Sequence, residues 1–169
     1  NIVTRNAADT HGAMAAVTSG DKGIDDTVAR IGWGSDTASF RLTTSRRSDN
    51  GLDSVNDDKH TSQFHVRADL KPTSRDEVLI GAGGVHYSWG DGEPGAAGNP
   101  QRTVFRRDLY AHGQWRRLLA ADEELRLSAS YDHEYNRDRT PYVPIPGIVL
   151  DFGGWASRQQ VELQHVFSP

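Results

Sequence analysis

The amino-acid sequence predicts an all-β chain: an antiparallel transmembrane β-barrel segment of about eight strands, with short periplasmic turns and long extracellular loops. Three observations carry this. Apolar and polar residues alternate in run after run, the connections between runs alternate short and long, and aromatic residues mark two levels of the apolar faces. The sharpest run is Phe64-His65-Val66-Arg67-Ala68-Asp69-Leu70. Successive side chains of a strand point to opposite faces, so Phe64, Val66, Ala68 and Leu70 share one face and His65, Arg67 and Asp69 the other. A soluble sheet with one buried face gives the same alternation, so recurrence and connections decide.

Residues 12–20 form a weak first strand rich in small side chains. In residues 26–34, Ala29, Ile31 and Trp33 share a face opposite Arg30. Residues 38–47 set Phe40 and Leu42 against Arg41, Thr43, Ser45 and Arg47. The run at residues 61–71 follows. Residues 77–89 place Leu79, Val85, Tyr87 and Trp89 on one face, interrupted by the small stretch Gly81 to Gly84. Residues 103–118 set Leu109, Ala111, Gly113 and Trp115 against Asp108, Tyr110, His112, Gln114 and Arg116. Residues 124–136 oppose Leu125, Leu127, Ala129 and Tyr131 to Arg126, Ser128, Ser130, Asp132 and Glu134. Residues 155–167 end the series with Val161, Leu163, His165 and Phe167 opposite Gln160, Glu162 and Gln164. No segment of length keeps a helical period; residues 117–125 contain good helix formers but lie between two alternating runs, and residues 120–123 read as a turn.

Residues 35–37, 72–76 and 120–123 are short polar connections, whereas residues 48–60, 90–102 and 137–154 are long and rich in Gly, Pro, Asp and Asn. Long loops gathered at one end are a habit of outer-membrane barrels. Trp33, Phe40, Trp115 and Phe167 lie near the short turns; Tyr87, Trp89, Tyr131, Tyr135 and Trp155 lie toward the long loops. Two aromatic levels match two membrane interfaces. The predicted lipid-facing anchors are Trp33, Phe40, Phe64, Val66, Leu70, Tyr87, Trp89, Trp115, Tyr131, Trp155 and Phe167.

Composition sets the bounds. The 169 residues are 36% hydrophobic and 25% charged, with net charge −4. A mild negative charge gives no support for a nucleic-acid partner. Cysteine is absent, which removes disulfides and thiolate metal sites. The single Met is Met14, no signal peptide is present, and Asn1-Ile2-Val3-Thr4 reads as mid-strand; a fragment or processed segment is expected.

Asn1-Ile2-Val3-Thr4-Arg5-Asn6-Ala7, followed by Ala8-Asp9-Thr10-His11-Gly12, resembles the join between plug and barrel in TonB-dependent outer-membrane receptors. The small-residue first strand, the Gly- and Trp-containing second strand, the tight Asp-containing turn and the Arg-bearing third strand are similar to the start of that family's barrel. The resemblance implies residues 1–11 as the last plug strand and linker, and residues 12–169 as the N-terminal part of the barrel. It implies a bacterial outer-membrane location and uptake of a scarce nutrient, such as a ferric siderophore, cobalamin or a glycan. Membrane lipid, the TonB system and the nutrient would be the partners. The family's TonB-contacting segment, most of its plug and its later strands are not represented, so no transport is expected of the segment alone. The alternatives are a self-contained eight-stranded outer-membrane barrel with a structural or adhesive role, and a soluble ligand-binding β protein.

Candidate chemistry is sparse. The polar faces offer Arg41, Arg47, His65, Arg67, Asp69, Asp108, His112, Arg116, Arg126, Asp132 and Glu134 as lumen-facing contacts for a ligand or plug. Mixed signs suit cross-strand pairing, wall-to-plug contacts or attraction of an anionic chelate. The seven His residues make no metal-ligand spacing, and no cofactor is expected. Asp49, Asp53, Asp57 and Asp58 form an acidic loop whose spacing does not match a calcium loop. Gly81-Ala82-Gly83-Gly84 opens no helix, so it is not a phosphate loop; room for close approach or bending of the wall is the reading. No nucleophile motif is present, and an enzyme is not expected.

Overall fold

The computed structural model describes residues 5–167. A single 3-10 turn, Ala8–Thr10, leads into β1 (Gly12–Ser19), β2 (Asp25–Gly34), β3 (Ala38–Asp49), β4 (Lys59–Leu70), β5 (Asp76–Asp91), β6 (Arg102–Ala120) and β7 (Glu123–Arg137). A small hairpin follows, β8 (Arg139–Pro141) and β9 (Val149–Asp151), before β10 (Gly154–Phe167). Seven consecutive strands and β10 form one antiparallel sheet in the order β1-β2-β3-β4-β5-β6-β7-β10. The sheet is open, with β1 and β10 as its edges. The expected plug strand over Asn1 to Thr4 lies outside the described residues, as do Ser168 and Pro169.

Chain direction sorts the connections. Residues 35–37, 71–75 and 121–122 join strands at one end of the sheet, the turn end. Residues 20–24, 50–58, 92–101 and 138–153 join them at the other, the loop end. The last of these is more ordered than an extended loop: it carries the β8–β9 hairpin, whose Tyr142 N–H donates to the Ile148 carbonyl. Prolines at 141, 144 and 146 obscure that hairpin in the sequence, since proline breaks the strand pattern.

Register gives the tilt. Gly32–Arg41, Arg67–Gly81 and His112–Ser130 are directly paired and stand on one continuous row. Half the sequence separation within each couple puts the three turns about 4.5, 7 and 9 residues below that row, moving across four strands. With ~3.3 Å per residue and ~4.8 Å between strands, bringing these turns to one level requires a strand tilt of about 38°.

Burial is inverted relative to a globular sheet. Among the described residues the buried apolar side chains are Ala7 and Val104, while Arg67 is only 7% exposed. The total accessible surface is 11610 Å² for 18.6 kDa; a globular protein of that mass exposes about 8,200 Å². The exposed surface includes large side chains of the apolar face, among them Ile31, Trp33, Phe64 and Ile80, with nothing packed against them.

One sequence expectation is corrected here. Tyr87 and Trp89 do not join the lipid-facing set: Tyr87 pairs with Thr61 and Arg106, and Trp89 with Lys59 and Val104, which puts both on the charged face. The apolar face of β5 is carried instead by Val78, Ile80, Ala82 and Gly84, partners of Leu70, Ala68, Val66 and Phe64. The strand runs through its glycines without a register shift, so parity counted from Val78 holds to the end. Hydrophobicity at Tyr87 and Trp89 was the misleading signal. The other predicted anchors share the apolar face.

Candidate functional site

Directly paired residues of an antiparallel sheet point to the same side. By that rule each Arg, His, Asp and Glu singled out from the sequence falls on a single face. This charged face is where the sheet makes its tertiary contacts, and residues 5–11 lie across its β2–β4 part. The Ala7 N–H donates to Asp69 Oδ2 at 2.6 Å. Arg67 grips Asp69 through Nε and Nη2, both at 2.8 Å, and donates from Nη2 to Asn6 Oδ1 at 2.9 Å. Arg41 Nη1 donates to the Arg5 carbonyl at 3.1 Å, and His11 Nε2 meets Ser39 Oγ at 3.2 Å. Gly32 makes room for the segment: a Cβ there would stand 2.2 Å from the Thr10 carbonyl oxygen. Ala7 is fully buried by these contacts. The buried Arg67 is thus held by a bidentate pair, the geometry in which a guanidinium is best matched.

Away from the segment the face is a ladder of ion pairs. Arg106 reaches Asp108 at 3.1 Å and Glu134 at 3.0 Å. Arg116 reaches Glu77 at 3.1 Å and Glu124 at 2.6 Å, and Arg126 also pairs with Glu124. Arg47 lies 3.8 Å from Asp26. His65 and His112 flank Tyr110, with ring centroids 6.1 and 6.0 Å away. Gly81 and Gly83 of β5 lie beneath these rings: a Cβ on Gly81 would stand 2.3 Å from His112 Cε1, and one on Gly83 2.6 Å from Tyr110 Oη and 2.7 Å from the Phe64 carbonyl oxygen. Asp132 pairs in register with Tyr110.

Both ends of the sheet are tied down. At the loop end Arg102 joins Asp138 at 2.6 Å, Asp91 at 2.9 Å and Asn99 Oδ1 at 2.7 Å, while Asn56 Nδ2 donates to the carbonyls of Asp91 and Arg102. Three loops are thereby linked. The Gly153 N–H, and then Arg139 at 3.0 Å, hold the Asp151 carboxyl below the usual carboxylate range. At the turn end the Thr73 hydroxyl donates to Asp76 Oδ2 at 2.5 Å, and the indole N–H of Trp115 donates to Asp76 Oδ1 at 3.0 Å.

The acidic loop is occupied with its own backbone and neighbours. Asp49 accepts from the Gly51 N–H, Asp57 from the Leu52 N–H, and Asp53 pairs with Lys22 at 2.5 Å. Among the described residues, no group of three or more His, Asp or Glu side chains is arranged to hold a metal ion. Sequence reasoning missed Gly32, Ser39, Asn56 and Arg102, whose roles depend on partners more than 20 residues away in the chain. Comparison with family models, with curated proteins and with solved structures found no match to this chain.

Proposed function

We propose that the chain is part of the wall of an outer-membrane receptor of the TonB-dependent kind, with residues 5–11 belonging to a plug seated in its lumen. The observation that carries this reading is the inverted burial. Phe64 is 47% exposed and Val66 39%, while Arg67, the residue after Val66, is 7% exposed beneath the N-terminal segment. An apolar face this extensive needs an apolar environment, and the charged face already holds polypeptide.

Dimensions support lipid as that environment. On the apolar face of β6 the charge-free interval runs from Arg107 to Arg117 through Leu109, Ala111, Gly113 and Trp115. That is about 33 Å along the strand, and about 26 Å along the membrane normal at the 38° tilt; outer-membrane barrels have an apolar band of ~25 Å and tilts of ~35–45°. The alternative of a self-contained eight-stranded barrel fits less well. Closing eight strands leaves an interior with room for side chains or one small ligand, whereas the charged face of this open sheet also carries the backbone of residues 5–11. By the resemblance of residues 1–12, the parent receptor takes up a scarce nutrient: a ferric siderophore, cobalamin or a glycan. Its long loops and charged face receive the ligand, and TonB drives passage.

Refolding the chain with liposomes and floating them on a density gradient tests the reading. The expected result is co-flotation and β-sheet circular dichroism. A monomer that stays soluble in detergent-free buffer would sink it.

A further inference from the structure

The ladder of ion pairs has a gap. Toward the turn end of β6 and β7, the charged face carries a depression of about 300 Å³ lined by Leu79, His112, Gln114, Ser128, Ser130 and Gln160, with Gly113 and Ala129 behind them. No carboxylate, ammonium or guanidinium lines it. The register row that bears Arg41 and Arg67 on β3 and β4 continues as Gly81, His112, Ser130 and Gln160. Beside the depression, the His112 ring lies over Gly81 and the Tyr110 ring over Gly83, nearly parallel at 12°.

We infer that this neutral island is a subsite for a saccharide ring. The inference rests on the receptor reading and names a substrate class for its lumen. Serine hydroxyls and glutamine amides each donate and accept, which matches ligand hydroxyls that do both. An aromatic ring edging a small polar pocket gives the apolar C–H face of a pyranose something to lie on, in keeping with sites that pair apolar walls with a few placed polar groups. The volume is at the lower end of the ~300–1,000 Å³ typical of ligand pockets. The nearest charges carry both signs, Arg116 and Arg126 one same-face pair toward the turns and Glu162 beside Ser128 on β10, so the depression offers an anionic chelate no purely cationic pocket. Short side chains at Ser128 and Ser130, next to a ring held down on a glycine, leave the space open.

The test uses the whole chain in lauryldimethylamine-oxide micelles, which carry no sugar headgroup, with maltohexaose, cellohexaose and mannohexaose as probes. Saturation-transfer NMR is expected to show ring protons of at least one probe contacting the protein. His112→Ala should weaken that probe about tenfold, the loss of one good contact, and His112→Phe should restore it. Ser130→Asp, a charge of a kind common on this face, should weaken it also without unfolding the sheet. A chain that floats with liposomes but receives no saturation transfer to any probe overturns this inference alone. Equal binding by native protein, His112→Ala and Ser130→Asp also overturns it. A chain that stays monomeric in water overturns the receptor reading and this inference with it.

Discussion

Val66 and Arg67 are neighbours in β4, and the sheet treats them in opposite ways. Val66 looks out among Leu42, Ala82 and Phe64 with no layer above it, and Arg67 is sealed under residues 5–11 with its guanidinium bound to Asp69 and Asn6. In a water-soluble sheet the hydrophobic effect would reverse the two. The charged face finds its partners within the chain, as ion pairs, ring contacts and a docked segment. Among the described residues no layer packs on the apolar face, and in the proposed reading lipid takes that place. The difference separates two kinds of sensitivity: to the polarity of a side chain on one face, and to its shape and hydrogen bonds on the other.

Substitutions that ignore the distinction should break it most. Val66→Arg puts a charge into the middle of the apolar belt, which costs about 2–4 kcal/mol at a bilayer midplane. His65→Arg, one residue away, adds to a face already rich in arginine and should cost far less. The fraction of chain reaching a heat-modifiable folded form in liposomes measures both. Equal tolerance of the two would erase the proposed sidedness.

Next in size is the clamp on residues 5–11. Arg67→Met removes the hydrogen bonds to Asp69 and Asn6 and leaves Asp69 sheltered without its cation; hydrogen bonds to charged groups are worth about 1.5–3 kcal/mol. The expected outcome is release of the segment from an intact sheet, seen as fast exchange of the Ala7 amide and cleavage by protease near Arg5. Gly32→Ala should release it too, by driving a methyl into the Thr10 carbonyl, at a cost of about 1–3 kcal/mol for such overpacking. If both variants keep the Ala7 amide protected, the contacts between segment and wall do not hold it in place.

Most of the sheet was legible because period two is a local signal. Each of the eight expected runs begins and ends within two residues of its strand. Parity failed only in β5, where Gly81, Gly83 and Gly84 gave no apolar marker and Tyr87 and Trp89 pulled the count onto the wrong face. The glycines themselves were readable as places of close approach, but what approaches is set by register: His112 and Tyr110 come from β6, and no local pattern names them. The resemblance of residues 1–12 implied a plug strand and linker, whereas residues 8–10 form a 3-10 turn, and the anchor points Arg41, Arg67 and Asp69 had only the general status of lumen residues. Arg102 escaped notice for a similar reason, since Asp91 and Asp138 reach it from two different loops.

The smallest expected effect belongs to the loop end, where polarity and shape are both exposed to water. Asp151 closes the base of the β8–β9 hairpin by accepting the Gly153 N–H at 2.9 Å and pairing with Arg139 at 3.0 Å. Its carboxyl titrates below the ordinary value in the folded hairpin, and an unfolded aspartate titrates near ~3.9. The contribution is therefore complete above that unfolded value and is lost as pH falls through the lower folded one. Exchange of the Tyr142 amide, which bonds the Ile148 carbonyl across the hairpin, should be insensitive to opening above about pH 5 and accelerate, beyond its intrinsic pH dependence, in more acid solution. Asp151→Asn should remove that acceleration and leave a modestly looser hairpin at every pH. The ion pair is half exposed, so salt should mimic part of the acid effect through screening. Unchanged protection from neutral to strongly acid pH would mean that the hairpin is held by its prolines and backbone alone.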